Sequence, residues 1–135
     1  MGISTGGSER LRVDSSGDVG IGVTSPAATL DLSGNQVTNV VAMGALDVDC
    51  SAGNYFTKTI NGNSTFTFSN VPASRSFAFV LELTHTSGTV TWPSSVKFPA
   101  DTAPTLTAGK THLFVFETND GGSRFRGAAL VDYVN

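Results

Sequence analysis

The sequence predicts an all-β protein, an antiparallel β-sandwich or jelly roll preceded by a short-stranded, turn-rich segment. Three observations carry this expectation. Charged residues are only 14% of the 135-residue chain, against roughly a quarter in an ordinary soluble domain. Ser and Thr supply 32 residues and Gly another 15, while Leu, Glu and Lys, the residues that build helices, are sparse. Apolar residues recur at every second position, and turn residues punctuate the chain every 8–12 positions, a spacing that suits about nine short strands.

The chain divides by side-chain size. Residues 1–43 hold no aromatic, and every aromatic side chain lies from Tyr55 onward. A segment without large side chains cannot build an interlocking core of its own. Residues 1–43 are therefore expected to pack on something else, either the rest of the chain or further copies of themselves, and 44–135 to form the sandwich. Within the first segment Leu11-Arg12-Val13-Asp14-Ser15-Ser16-Gly17-Asp18 is an alternating strand followed by a Gly-Asp turn. Leu30-Asp31-Leu32-Ser33-Gly34-Asn35 and Leu46-Asp47-Val48-Asp49-Cys50-Ser51-Ala52-Gly53-Asn54 repeat this strand-then-turn idiom at irregular spacing. A strand around Val37 to Met43 is compatible with pairing to the main sheet, which would move the boundary.

From Tyr55 the elements follow in order. Phe56 to Ile60 alternates, Asn61-Gly62 has the composition of a hairpin turn, and Thr65-Phe66-Thr67-Phe68 alternates again. From Phe77 to His85 the odd positions Phe77, Phe79, Leu81, Leu83 and His85 form a period-2 stripe expected to face the core. Ser87-Gly88 turns into Thr89 to Trp92, which Pro93 ends. Pro93 to Pro104 reads as a meandering loop with Val96 and Phe98 turned inward. His112 to Thr118 is apolar on both faces, as a central strand covered on each side would be. Asn119-Asp120-Gly121-Gly122 turns into a last strand, Arg124 to Tyr133.

Several functions are excluded by the same residues. Apolar runs reach four or five residues, too short for a membrane-crossing helix. Residues 1–4 carry neither the basic nor the apolar part of a signal peptide, and Gly6 stands where myristoylation wants Ser or Thr. The net charge of −3 with scattered Lys and Arg argues against nucleic acid. Gly20-Ile21-Gly22 starts like a dinucleotide-binding loop, but the third glycine is missing and Pro26 forbids the helix that should follow. Asn63-Ser64-Thr65 matches a glycosylation sequon in a chain with no route to the machinery.

No catalytic or metal-binding set is expected, and no cofactor. His85 and His112 lie at strand ends, where their polar tips can reach solvent, and Cys50 has no second cysteine and no ligand cluster at metal spacing. Asp14, Asp31, Asp47 and Asp49 sit in the strand-turn idioms, where Asp bonds to turn amides. A paired-carboxylate hydrolase would need aromatics beside them, and this segment has none. Tyr55, Trp92 and Tyr133 are candidates for stacking on a sugar ring. The competing reading of Trp92, alternating with Val90 before Pro93, is a core plug.

Ser8-Glu9-Arg10-Leu11-Arg12-Val13-Asp14-Ser15-Ser16-Gly17-Asp18-Val19-Gly20-Ile21-Gly22-Val23-Thr24-Ser25-Pro26 closely resembles the "ERMRIDSSGNVGIGTTSP" motif of bacteriophage tail fibres and related virion fibre proteins. Leu11 and Val13 replace Met and Ile, Asp18 replaces Asn and Val23 replaces Thr. Thr65 to Asn70, Thr89 to Pro93 and Asp120-Gly121-Gly122 look, more loosely, like β-rich terminal modules of phage structural proteins. The resemblance implies a non-enzymatic, homotrimeric virion protein on the particle surface, its partners being its own copies and other virion proteins such as a fibre shaft or the major capsid protein. Leu11, Val13, Val19 and Ile21 are then the expected trimer or anchor contacts. Tail fibres carry an attachment domain and shaft before such a motif, whereas this chain starts almost at it. A fragment of a longer fibre suits a tail fibre. A complete short product would better suit a capsid decoration (cement) protein or a head fibre. A receptor module binding a host surface glycan is a further alternative.

Overall fold

The computed structural model describes residues 1–134. The chain is all-β, and the one helical element among the described residues is a 3-10 turn at Pro99–Asp101. Two compact units arise, Met1–Val37 and the chain from Thr38 onward.

The first unit is a four-stranded sheet of β1 (Gly2–Thr5), β2 (Ser8–Val13), β3 (Val19–Ile21) and β4 (Leu30–Leu32), paired in chain order. The β1–β2 and β2–β3 pairs are antiparallel and β3–β4 is parallel. After β2 the Asp14 carboxylate accepts the backbone N–H of Ser16 and of Asp18, the turn-capping role expected of it. Gly20 is dictated by crowding, because a Cβ there would stand 2.5 Å from the Val23 carbonyl oxygen. The Gly-Ile-Gly run thus lets the following loop fold back over β3.

Register aligns the apolar residues of this sheet. Ile3 pairs with Leu11, Leu11 with Ile21 and Ile21 with Leu32, and a second row joins Val13, Val19 and Leu30. Directly paired residues share a face, so one side of the sheet is aliphatic across all four strands. The other side carries Gly2, Arg12, Gly20 and Asp31.

The second unit starts earlier than residue 44. β5 (Val40–Ala42) pairs with Tyr55–Thr57, so the boundary falls at Val37/Thr38 and residues 38–43 belong with the aromatic part. The further strands are β6 (Asp47–Asp49), β7 (Tyr55–Asn61), β8 (Ser64–Thr65), β9 (Thr67–Ser69), β10 (Phe77–Ser87), β11 (Val90–Thr91), β12 (Val96–Lys97), β13 (Lys110–Thr118) and β14 (Phe125–Tyr133). Six of them form a sheet in the order β12-β14-β13-β10-β7-β5, while β8–β11 and β6–β9 are separate two-stranded ladders.

The expectation of a purely antiparallel arrangement is overturned. Only β10–β13 and β13–β14 are antiparallel here, whereas β5–β7, β7–β10, β12–β14 and both small ladders are parallel. Asn61-Gly62 accordingly makes no hairpin. β7 already has β5 on one edge and β10 on the other, so the chain beyond Gly62 has no free edge to fold back on. It runs on alongside the chain leaving β10, and the two continue side by side as β8 and β11. They cross at Gly62 and Gly88, where a Cβ on Gly88 would stand 2.1 Å from the Gly62 carbonyl carbon. The expected strand around Phe66 is split, Ser64–Thr65 pairing with β11 and Thr67–Ser69 with β6.

The core lies on one face of the large sheet. Phe56, Ile60, Phe79, Leu81, Leu83, Phe114, Phe116 and Phe125 are buried there, together with Val48, Phe66, Val96 and Phe98 from the smaller elements. Phe68 brings its ring to 5.1 Å from Phe79, 5.2 Å from Phe116 and 5.0 Å from Phe125. The odd stripe of β10 faces this core, with Val96 and Phe98 turned inward. The opposite face is not covered as expected for β13, since Val115 is 45% exposed. Its neighbours Val80 and Ala128 lie beside it in the sheet, not above it.

Candidate functional site

Trp92 follows β11, where the alternation Val90, Thr91, Trp92 ends at Pro93. Its ring stacks on Phe66 at 5.2 Å and 21° and packs against Phe114 at 4.7 Å and Phe116 at 5.2 Å. With Phe98 at 5.9 Å as a fourth aromatic neighbour it is a plug, yet the side chain remains partly exposed and lines two cavities. One, of about 270 Å³, is walled by His85, Gly88, Thr89, Val90, Trp92 and the run Ala103–Leu106. The other, of about 410 Å³, shares Val90, Trp92 and Ala103 and adds Thr91, Ser94, Lys97, Phe98 and Asp101. In the loop after Phe98 the chain passes Ala100 at φ 55° and Asp101 at φ 52°, two successive left-handed residues with side chains, a costly conformation.

Both histidines, expected to reach solvent, are buried, His85 first. It is 5% exposed rather than solvent-tipped, and the signal lay in its place as last member of the inward stripe. Its Nε2 lies 2.8 Å from the Gly88 carbonyl oxygen. A carbonyl only accepts, so Nε2 is the donor in this contact. Its Nδ1 is buried without a partner.

His112 is likewise sealed in, at 0% exposure. Its Nε2 faces the Thr107 carbonyl at 3.3 Å and its Nδ1 accepts the Asp132 backbone N–H at 3.1 Å, which fixes a neutral tautomer from both sides. Burial pushes its pKa below the ordinary value, with the Thr107 carbonyl and Asp132 opposing and His85 adding. Its role is structural.

The other sequence candidates disperse. Tyr55 sits on the open face of the large sheet and donates its hydroxyl to Glu82 at 2.6 Å, a bond that raises the phenol pKa. Tyr133 pairs with Thr111 in β13, while Tyr55 lies on β7, so neither joins Trp92 in one site. Beside Tyr55 an open concavity of about 530 Å³ is lined by Thr57, Thr59, Glu82, Thr84 and Lys58. The Lys58 ammonium is spent on the carbonyls of Met43 and Gly44. Leu11, Val13, Val19 and Ile21 do come together, as two cross-strand pairs in the first unit.

The acids are structural. Asp31 accepts the Ala27 N–H, Asp47 accepts the hydroxyls of Thr67 and Ser69, and Asp49 accepts Ser51 and Asn70. Cys50 is a core residue, 3% exposed, and burial followed by Asp49 and Asp47 pushes its thiol up to about 11. No group of three or more metal-ligating side chains occurs among the described residues. No described helix is long and apolar enough to cross a membrane.

Comparison with protein-family models, with curated proteins and with solved structures finds no match.

Proposed function

We propose that the chain is a non-enzymatic structural protein of a bacteriophage virion, tail-fibre-like and surface-exposed, that assembles as a homotrimer. The observation that carries this reading is the one-sided sheet of the first unit. Ile3, Ile21 and Leu30 are 54%, 45% and 59% exposed, although register gathers them with Leu11, Val13, Val19 and Leu32 on one face. Such a face is stable in water when another surface covers it. Further copies of the same face around an axis provide a closed, symmetric cover. The motif at residues 8–26 supplies β2 and β3 of this sheet, so the resemblance to fibre proteins and the aliphatic face share Leu11, Val13, Val19 and Ile21. The second unit is read as a β-sandwich or jelly roll, the β6–β9 and β8–β11 ladders forming the layer opposite the six-stranded sheet, as the Phe68 contacts suggest.

A capsid decoration protein or head fibre is the alternative within the same class, with the first unit clamping major capsid subunits. Immunogold electron microscopy of intact virions with antibody to this chain tests both. Label at the tail favours the fibre, and label spread over the head favours the decoration protein. Particles without label would overturn the virion reading.

A further inference from the structure

We propose that His112 and Asp132 form an acid-operated latch, which holds the end of β14 to the sheet while His112 is neutral and releases it when His112 takes up a proton. This inference stands on the second unit alone and does not need the virion reading.

The latch is built at an irregularity of the ladder. Thr111 pairs with Tyr133 and Leu113 with Leu130, so one residue of β13, His112, stands opposite Val131 and Asp132 of β14. Two residues against one is the count of a β-bulge, which leaves an extra residue outside the ladder. Asp132 has φ 68°, a left-handed conformation that is costly in a residue with a side chain and persists where the surroundings hold it. A ring nitrogen holds it here, because the Asp132 N–H donates to His112 Nδ1 at 3.1 Å. The other ring nitrogen, Nε2, lies 3.3 Å from the Thr107 carbonyl oxygen and donates to it. Only a neutral imidazole has both an N–H and a lone pair. The bond to Asp132 therefore exists in one protonation state.

The charged state finds its partner on the same residue. The Asp132 carboxylate is half-exposed, and its Oδ1 lies 3.8 Å from His112 Nδ1, beyond hydrogen-bond range. A proton taken from water onto Nδ1 turns that acceptor into a donor facing the Asp132 N–H. The carboxylate becomes the acceptor once the backbone at residue 132 turns. That turn breaks the neighbouring Thr111–Tyr133 pair. On its other edge β14 pairs with β12 only at Phe125 and Arg126, so beyond Leu130 the strand is held by β13 alone. Among the titratable groups around the ring, His85 of β10 lies 5.9 Å away between centroids and Lys110 stands two places earlier on β13. Residues 102–109, which supply the Thr107 carbonyl, carry none. Burial opposes the charged ring and His85 adds to that, while the Thr107 carbonyl and Asp132 favour it. The exchange accordingly falls below the ordinary histidine value of about 6.5.

Nuclear magnetic resonance of the isotope-labelled full chain reads the latch between about pH 7.5 and about pH 5. The ring signals of His112 give its titration, and the amides of Val131, Asp132 and Tyr133 report on the strand end. These amides should shift with the midpoint of His112. After correction for the intrinsic pH dependence, they should exchange with deuterium roughly tenfold faster below that midpoint than above it, while Phe114 and Phe116 stay protected. Asp132→Asn keeps the N–H and removes the carboxylate, so the His112 midpoint should move lower still. Strand-end amides that do not follow His112 overturn the proposal, as does a change that follows His85 instead. Loss of protection across β10 and β13 at the same midpoint, or a midpoint unmoved in Asp132→Asn, overturns it equally.

Discussion

Single residues in this molecule are set by contacts that allow little latitude, and they make the sharpest tests. Gly20 and Gly88 stand where a Cβ would overlap backbone atoms. Gly88→Ala should therefore cost on the order of 3–5 kcal/mol, in the range of severe single substitutions. Equilibrium urea unfolding of the variant checks this, and a cost under about 1 kcal/mol would mean the Gly62–Gly88 crossing is looser than described. Cys50 should stay unreactive toward a thiol reagent at neutral pH until urea unfolds the chain, because it is buried and its pKa is raised to about 11. Labelling of the native protein at the rate of a free thiol would contradict that burial.

His112 gives the chain a pH response of definite sign. Burial lowers its folded pKa below the ordinary 6.5, so the unfolded chain takes up a proton that the folded chain refuses. Stability is then full above the unfolded value and is lost as pH falls through it toward the folded one. The lowered carboxylates act in a separate window. Asp49, held down by Ser51 and Asn70, and Asp120, held down by the Arg124 N–H, add stability above about pH 4 that is lost at lower pH. Urea midpoints should thus fall between about pH 7.5 and about pH 5.5, where histidine titrates and carboxylates do not. Native-state NMR showing His112 protonated at the upper end of that range would contradict the account.

At the scale of elements, β10 is the strand whose orientation follows from its own residues. Phe79 is 2% exposed within the aromatic cluster, while Thr84 has the opposite parity and meets Thr111 at 3.2 Å. Phe79→Ala should cost about 3–5 kcal/mol, as large-to-small aromatic changes do. Thr84→Ala should cost under about 1.5 kcal/mol, the scale of one hydrogen bond. Equal costs in denaturant titrations would mean the face assignment is inverted. This parity was legible because alternation is a local property of the strand. Pairing direction was not, because a parallel and an antiparallel ladder show the same alternation in one strand. Asn61-Gly62 misled for a related reason, since turn chemistry is local whereas a hairpin needs an unoccupied neighbouring edge. The doubly apolar pattern of β13 predicts two-sided burial, whereas a second layer over Val115 depends on distant segments that the strand's own residues do not encode. The site at Trp92 was partly legible, in that Trp92 stood out beside Pro93. The contribution of His85 emerged only when the chain brought Gly88 and Leu106 to it.

At the scale of the whole molecule, the two units differ in how they meet the cost of ordering. The second encloses an aromatic cluster and holds the material for independent folding, so residues 38–135 alone should give a β-type circular dichroism spectrum and a cooperative melt. The first buries little on its own, with small side chains on a single sheet, and its apolar face asks for a partner surface. Both features were visible in the absence of aromatics before Tyr55, although the strand Val40–Ala42 lies on the other side of the division from the one expected. The central claim is that copies of the first unit cover one another along Ile3, Leu11, Ile21 and Leu32. Sedimentation equilibrium of the full chain at micromolar concentration tests it most directly. The account predicts a mass near three times the 14.0 kDa of one chain, reduced to that of the single chain by Ile21→Arg. A monomer at that concentration, with the apolar face intact, would contradict it.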